Sequence, residues 1–249
     1  MATGRTGDLT APLRVSPVQE RELLSRMSRS GVIVRVRRGL YLLPPRLPTG
    51  GLWSPTEAQA IGTLIGDRGG RWQFCGPNAF NRYGYDDQVP NRCYLYNNRI
   101  SGERTVGGVA MTLIKVADER LGDAVGVQTP EGGTLWYPSR ARTLVDAIYD
   151  WSRFGSLPRA YAWVRGDLAS GRVSAGELAR MTLRYGDIGT VRRMGFLLEQ
   201  SGADERVLKR LAHALRPSES FIPWAPDRPK RGALVRRWGV VANVEGEAT

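Results

Sequence analysis

GVIVRVRRGLYLLP, Gly31 to Pro44, is an apolar run of Val, Ile, Leu and Tyr interrupted by Arg35, Arg37 and Arg38. Its β-branched and aromatic residues suit strands over Val32–Val36 and Leu40–Leu43. Arg37-Arg38-Gly39 reads as the turn, because Gly39 can take the positive φ that a tight hairpin needs. Alternation predicts Val32, Val34 and Val36 facing a core, with Ile33 and Arg35 pointing the other way. Arg37 and Arg38 then sit at the tip, where either water or phosphate can reach them. A cationic tip can simply discourage edge pairing, or it can neutralise a polyanion.

The residues ahead of the hairpin narrow that choice. Ser16 is placed to cap a helix, with Pro17 at its first position and Gln19 completing a capping box. Leu23, Leu24 and Met27 form its expected buried face, and Gly31 ends it. A capped helix followed by a short hairpin with a basic turn has the form of a winged helix, whose wing lies along the DNA backbone or enters the minor groove. Charge points the same way. Net charge is +12, and residues 1–50 carry nine Arg against three acids. Residues 51–150 are nearly balanced, with ten basic and eleven acidic, and residues 151–249 carry seventeen basic and ten acidic. Two basic ends flanking a neutral middle suit a polyanionic partner.

Beyond the hairpin, PPRLPTGG (Pro44–Gly51) reads as a linker. It divides an expected 1–46 winged-helix-like domain from an expected 52–249 domain. In the second domain Ser54, Pro55 and Glu57 signal a helix start, with Ala58, Ile61, Leu64 and Ile65 as its apolar stripe. Residues 52–138 are strand-rich, in RWQFC, RCYLYNN, VAMTLIKV and TLWYPS. Residues 139–216 are helical: a helix from Ser139 with Leu144, Val145 and Ile148 inward, then LPRAYAWVRGDLA, SAGELARMTLRY with a Ser174–Glu177 box, TVRRMGFLLEQSG and DERVLKRLAHALRP, the last stopping at Pro217. Residues 217–249 form a tail, in which FIPWAP breaks structure, ALVRRWGVVANV returns as a strand and EGEAT frays. The expected class is α+β: a winged-helix-like domain followed by a mixed α/β domain ending in helices.

The chain offers little for catalysis. It contains no phosphate-cradling G-x-x-x-x-G-K-[ST], no G-x-G-x-x-G and no G-x-S-x-G. Its single histidine, His213, lies mid-helix between alanines with no nucleophile beside it. Two cysteines, Cys75 and Cys93, with one histidine do not make a zinc site and are expected to be reduced. Asp86-Asp87 reads as a turn with solvated carboxylates, and the Gly-Ser of FGSLPRAY as helix capping. No enzyme activity, cofactor or metal is expected. MATGRTGDLTAPLR lacks the apolar region of a signal peptide, and no apolar run approaches the ~20 residues that cross a bilayer. A cytoplasmic location away from membranes is expected.

Two further stretches stand out. In CGPNAFNRYGYDDQVP (Cys75–Pro90), Gly76-Pro77-Asn78 looks like a helix entry after a strand, presenting Asn78, Asn81, Arg82 and Tyr83; a capped structural turn explains it equally. In TVRRMGFLLEQSG, Arg192 and Arg193 emerge from a helix whose Val191, Met194 and Leu198 pack. They form either a solvated face or a basic face for an acidic partner.

Taken in order and spacing, GVIVRVRRGLYLLP, GPNAFNRYGYDDQVP, RTLVDAI and RRMGFLLEQSG resemble the AbiEi family of antitoxins over roughly residues 16 to 216. The resemblance implies an N-terminal winged helix that binds inverted repeats in its own promoter and represses transcription. It also implies a C-terminal domain that counters a cognate nucleotidyltransferase toxin in a phage-defence toxin–antitoxin system. Carried onto this sequence, the DNA contacts would be Arg21, Arg26, Ser28 and Arg29 on the helix and Arg35, Arg37, Arg38 and Tyr41 on the wing. The antitoxin motifs would hold Asn78, Asn81, Arg82, Tyr83, Arg192, Arg193 and Glu199. Only about fifteen residues precede Ser16, Pro12 among them, whereas the family carries additional helices there. Either the DNA-binding domain is reduced, the start lies further upstream, or the wing is kept without sequence-specific reading. The alternative function is a module that binds the toxin directly without sequence-specific DNA binding.

Overall fold

The computed structural model describes residues 2–46, 50–216 and 220–244. The chain forms two compact units. One holds the residues up to Phe74 together with Pro90–Tyr137, and the other holds Cys75–Val89 together with the residues from Pro138 on. The wing region and most of the strand-rich segment belong to one unit, and the 75–89 motif belongs with the helices.

The first unit begins with β1 (Ala2–Arg5), α1 (Thr10–Leu13), α2 (Pro17–Arg29), β2 (Val34–Arg37) and β3 (Leu40–Leu43), followed by α3 (Glu57–Gly66) and β4 (Trp72–Phe74). After α4 (Gly76–Arg82), which belongs to the second unit, it resumes with β5 (Cys93–Asn97), β6 (Gly102–Val106), β7 (Val109–Lys115), β8 (Ala124–Gln128) and β9 (Thr134–Pro138).

The reciprocal capping box of α2 is present: the Ser16 hydroxyl accepts from the Gln19 amide at 3.3 Å and Gln19 Oε1 accepts from the Ser16 amide at 2.8 Å. The hairpin turns at Gly39 with φ +77°. The wing is not a bare hairpin. β1 pairs antiparallel with β3, from Ala2 opposite Leu43 to Arg5 opposite Leu40, giving a three-stranded sheet in the order β1-β3-β2. A single helical turn, α1, stands ahead of α2 among the described residues.

Both faces of this sheet are covered. On one, Leu24 of α2 packs with Ile33 and Tyr41, joined by Leu9, Met27 and Val32. On the other, Val34 and Leu42 share a core with Ala60, Ile61, Leu64 and Ile65 of α3 and with Phe74, Leu95, Met111 and Leu113. Ile33 is thus buried rather than outward, and Val32 packs with it instead of with Val34. Val34 and Val36 still pack on one side, as the alternation predicts, and a bulge between Arg35 and Arg37 shifts the register against β3 beyond them.

The start of α3 also differs from expectation. Thr56 is the cap, with Gln59 completing the box, while the Ser54 hydroxyl accepts from the Gly108 amide. The larger sheet has the order β4-β5-β7-β6, with β5 and β7 parallel and the other pairs antiparallel. β8 pairs with β9 in a separate ribbon.

In the second unit α4 is followed by α5 (Arg140–Tyr149), α6 (Trp151–Phe154), α7 (Arg159–Ala169), α8 (Ala175–Tyr185), α9 (Ile188–Gln200) and α10 (Glu205–His213). Ser139, Ser174, Asp187 and Asp204 cap α5, α8, α9 and α10 through their side chains. Leu144, Val145 and Ile148 are fully buried, as their spacing predicts. α10 ends at His213, and Pro217 lies outside the described residues, as do residues 245–249 of the EGEAT tail.

The segment after α10 is more ordered than its composition suggests. β10 (Ile222–Pro223), β11 (Ala233–Val235) and β12 (Val240–Ala242) form a sheet in the order β10-β12-β11. FIPWAP therefore supplies an edge strand and a core residue: Trp224, fully buried, stacks on Tyr161 with centroids 3.6 Å apart. Ser156 does not cap α7; its hydroxyl donates back to the Ala147 carbonyl. Cys75 and Cys93 are buried and not joined in a disulfide, and burial pushes the Cys93 thiol well above its ordinary range. No helix among the described residues is long and apolar enough to cross a membrane.

Candidate nucleic-acid interface

The candidate interface is built by α2 and the wing. Leu24 turns one side of α2 into the core, which leaves Val18, Arg21, Glu22, Ser25, Arg26 and Arg29 lining a shallow open groove on the other side. The spacing of Val18, Glu22, Ser25 and Arg29 follows one helical stripe. Arg21 is partly committed, because its Nε donates to the Pro17 carbonyl at 3.0 Å. Arg26 and Arg29 occupy the last turn, where cations also complement the helix dipole.

The helix is held in place by a buried acid. Glu20 is fully buried and accepts from the Gly7 amide at 2.8 Å and from the Leu9 amide at 2.8 Å. These bonds tie the loop after β1 to the first turn of α2.

The wing contributes less charge than its sequence suggests. Arg35 and Arg38 are exposed and make no ion pair among the described residues. Arg37 is different. Its guanidinium lies 2.6 Å from Asp67 Oδ2, and the same carboxylate accepts from Arg5 at 2.8 Å. Tyr41 is no surface contact: at 8% exposure its side chain belongs to the α2–sheet core. Ser28 and Arg35 are brought together, lining one depression with Trp53 and with Gly107-Gly108 of the β6–β7 turn.

Sequence reasoning missed Asp67 and Trp53. Asp67 had a legible signal: a carboxylate at the C-cap of α3 opposes the helix dipole unless a cation answers it. Replacing it tests the arrangement. Asp67→Asn should release Arg5 and Arg37 and steepen the log–log salt dependence of DNA binding by about 1. Fluorescence anisotropy on duplex DNA across a salt series reads this directly.

In the second unit, the expected partner residues are largely internal. Asn81 Nδ2 donates to the Asp86 carbonyl at 3.1 Å, and the Tyr83 hydroxyl donates to the Pro138 carbonyl at 2.7 Å. Arg140 lies over the Tyr83 ring at 4.7 Å. Neighbouring Tyr85 donates a short hydrogen bond to buried Asp167; burial first, and that carboxylate second, push its hydroxyl well above the ordinary tyrosine range. Asn78 is half-buried, and Arg82 is exposed at the end of α4.

Arg192 and Arg193 form neither a solvated face nor an open basic one. They are 7% and 6% exposed and donate to the carbonyls of Ser220 and Pro223. Burial lowers the Arg193 pKa. Glu199 accepts from Trp238 Nε1 and from Arg237, both at 2.7 Å, and so fastens the β11–β12 turn to α9. Among the described residues no group of three or more His, Cys, Asp or Glu side chains is placed to hold a metal ion.

No curated protein matches the sequence. Among solved structures, the crystal structure of the RV2827C protein from Mycobacterium tuberculosis is similar in fold, with a TM-score of 0.58 at 16% identity over 96% of this chain and 86% of that one. Residues 5–44 match the family model described as transcriptional regulator, AbiEi antitoxin. That interval runs from Arg5 through α2 to the end of the wing, so the similarity to the AbiEi antitoxin and transcriptional-regulator family rests on this N-terminal stretch of the chain.

Proposed function

We propose that this protein represses its own operon by binding inverted repeats in the promoter, and that it counteracts a cognate nucleotidyltransferase toxin in a phage-defence toxin–antitoxin system. The observation that carries the DNA-binding half is the exposed α2 face. Arg26 and Arg29 are displayed on a helix whose opposite side is locked into the sheet, with Arg35 and Arg38 beside it on the wing. Such a helix can lie in a major groove, where Arg reads guanine, while the wing cations take phosphate.

The division of labour is testable. Arg35→Ala with Arg38→Ala should weaken binding to all sequences by a common factor and flatten the salt slope by about 2. Arg26→Ala with Arg29→Ala should instead reduce the preference for the upstream region over unrelated DNA. Salt-titrated gel shifts on both DNAs distinguish these effects. No shift of the upstream region at low salt would leave the direct toxin-binding reading in place of repression. Co-expression with the product of the neighbouring gene tests the antitoxin half.

A further inference from the structure

Arg192 raises a separate question. Its side chain is 93% buried by the 7% exposure of the residue, yet no carboxylate pairs with it among the described residues. Among the described residues it donates from Nη1 to the Ser220 carbonyl at 3.0 Å. Buried guanidinium groups are normally matched by an anion, because an uncompensated charge in a low-dielectric interior is costly.

The surroundings hold the group in place without neutralising it. Gly239, at φ +64°, brings its backbone against the guanidinium, so that a Cβ there would lie 3.2 Å from Arg192 Cζ and 3.3 Å from Nε. Arg192 lines a pocket of about 210 Å³ whose other walls include Arg216, Arg236 and Arg237. Arg237 is answered by Glu199 and Glu205, each at 2.7 Å. Arg216 and Arg236 are exposed and make no ion pair among the described residues. Three arginines with no carboxylate partner among the described residues therefore converge on one small concavity.

We propose that this pocket binds a phosphate group, with Arg192 as a fixed donor at its base and Arg216 and Arg236 closing over the outer oxygens. Planar guanidinium forks match the tetrahedral oxygens of phosphate, and three of them suit a multiply charged anion better than a single carboxylate. The phosphate can belong to a free nucleotide or to a nucleic-acid backbone. The site lies in the second unit and does not depend on the α2–wing interface.

Thermal melts of the full chain test it. About 10 mM inorganic phosphate should raise the melting temperature of the wild type by about 3 °C over sodium chloride at matched ionic strength. Arg216→Ser with Arg236→Ser, both at exposed positions, should abolish that difference. Arg192→Met provides the second readout. If Arg192 serves only to hold the fold, this variant melts lower with and without phosphate. If it serves an anion, the variant melts at or above the wild type in phosphate-free buffer and no longer responds to phosphate.

Calorimetric titration with a nucleoside 5′-monophosphate and anisotropy with a duplex then separate the sources. Loss of nucleotide binding in Arg216→Ser/Arg236→Ser assigns a free nucleotide. Weakening confined to the duplex, with a salt slope flatter by about 2, assigns the backbone. Equal responses to phosphate and chloride in the wild type, or responses that the variants leave unchanged, overturn the proposal.

Discussion

Glu20→Ala is expected to unfold the N-terminal module and abolish DNA binding without touching a residue of the cationic surface. Glu20 is fully buried at the start of α2, where its carboxylate accepts from the Gly7 and Leu9 amides. The substitution leaves both donors unpaired and removes a negative charge from the positive end of the helix. Hydrogen bonds to a charged group contribute about 1.5–3 kcal/mol each, so the loss is about 3–6 kcal/mol. That is a large fraction of the about 5–15 kcal/mol by which a domain is stable. Glu20→Gln keeps one carbonyl oxygen in place, and about half the loss is expected. Hydrogen exchange locates the effect: protection should fall across residues 2–43 in the Ala variant. Unchanged protection there would show that the two amides find other partners.

In the second unit the largest effect is expected at Trp224. The fully buried indole stacks on Tyr161 and meets Phe196 edge-on at 4.9 Å. Around it, the Tyr161 hydroxyl donates to the Trp224 carbonyl, and Asn243 holds both the amide and the carbonyl of Ala225. These contacts limit how far the surroundings can collapse into a vacated space. Trp224→Ala should therefore cost about 3–5 kcal/mol, toward the upper end for an aromatic deletion. Trp224→Phe retains part of the stacking and should lose distinctly less. Chemical denaturation of both variants, with exchange monitored in α7 and α9, gives the comparison.

How much of this was legible depended on how local the cause was. Caps at Ser16 and Ser174 were readable because each acts within three residues of its own chain. The same is true of the Gly39 turn and of the helix entry at Gly76. The α3 cap was misread because Ser54-Pro55 and Thr56-Gln59 offer overlapping start signals. The choice is made from elsewhere in the chain, by the Gly108 amide that engages Ser54.

Burial on the second face of the wing was hidden for a similar reason. Ile33 and Tyr41 read as outward until α2 is placed against them. β1 has no apolar signature at all and becomes a strand only because β3 is there to pair with it. At the candidate site, helix and wing were found in the sequence, but the neutralisation of Arg37 depends on Asp67, thirty residues away. Arg192 and Arg193 misled because charge is usually a surface signal. Gly195 beside them carried the opposite message. A Cβ at that position would fall 2.2 Å from the Trp238 ring, the mark of a helix face under close cover.

The sheet that bears the wing has a consequence for how such proteins can diversify. Val34 and Leu42 face α3 and the larger sheet rather than solvent. A fragment ending at residue 46 would leave that face bare, so the wing cannot be lifted out as an interchangeable cassette. A recombination event that exchanges the wing between two such proteins would have to carry α3 and its sheet along. Change confined to the outward side chains of α2 and the wing tip leaves both cores intact and offers the shorter evolutionary route to an altered surface.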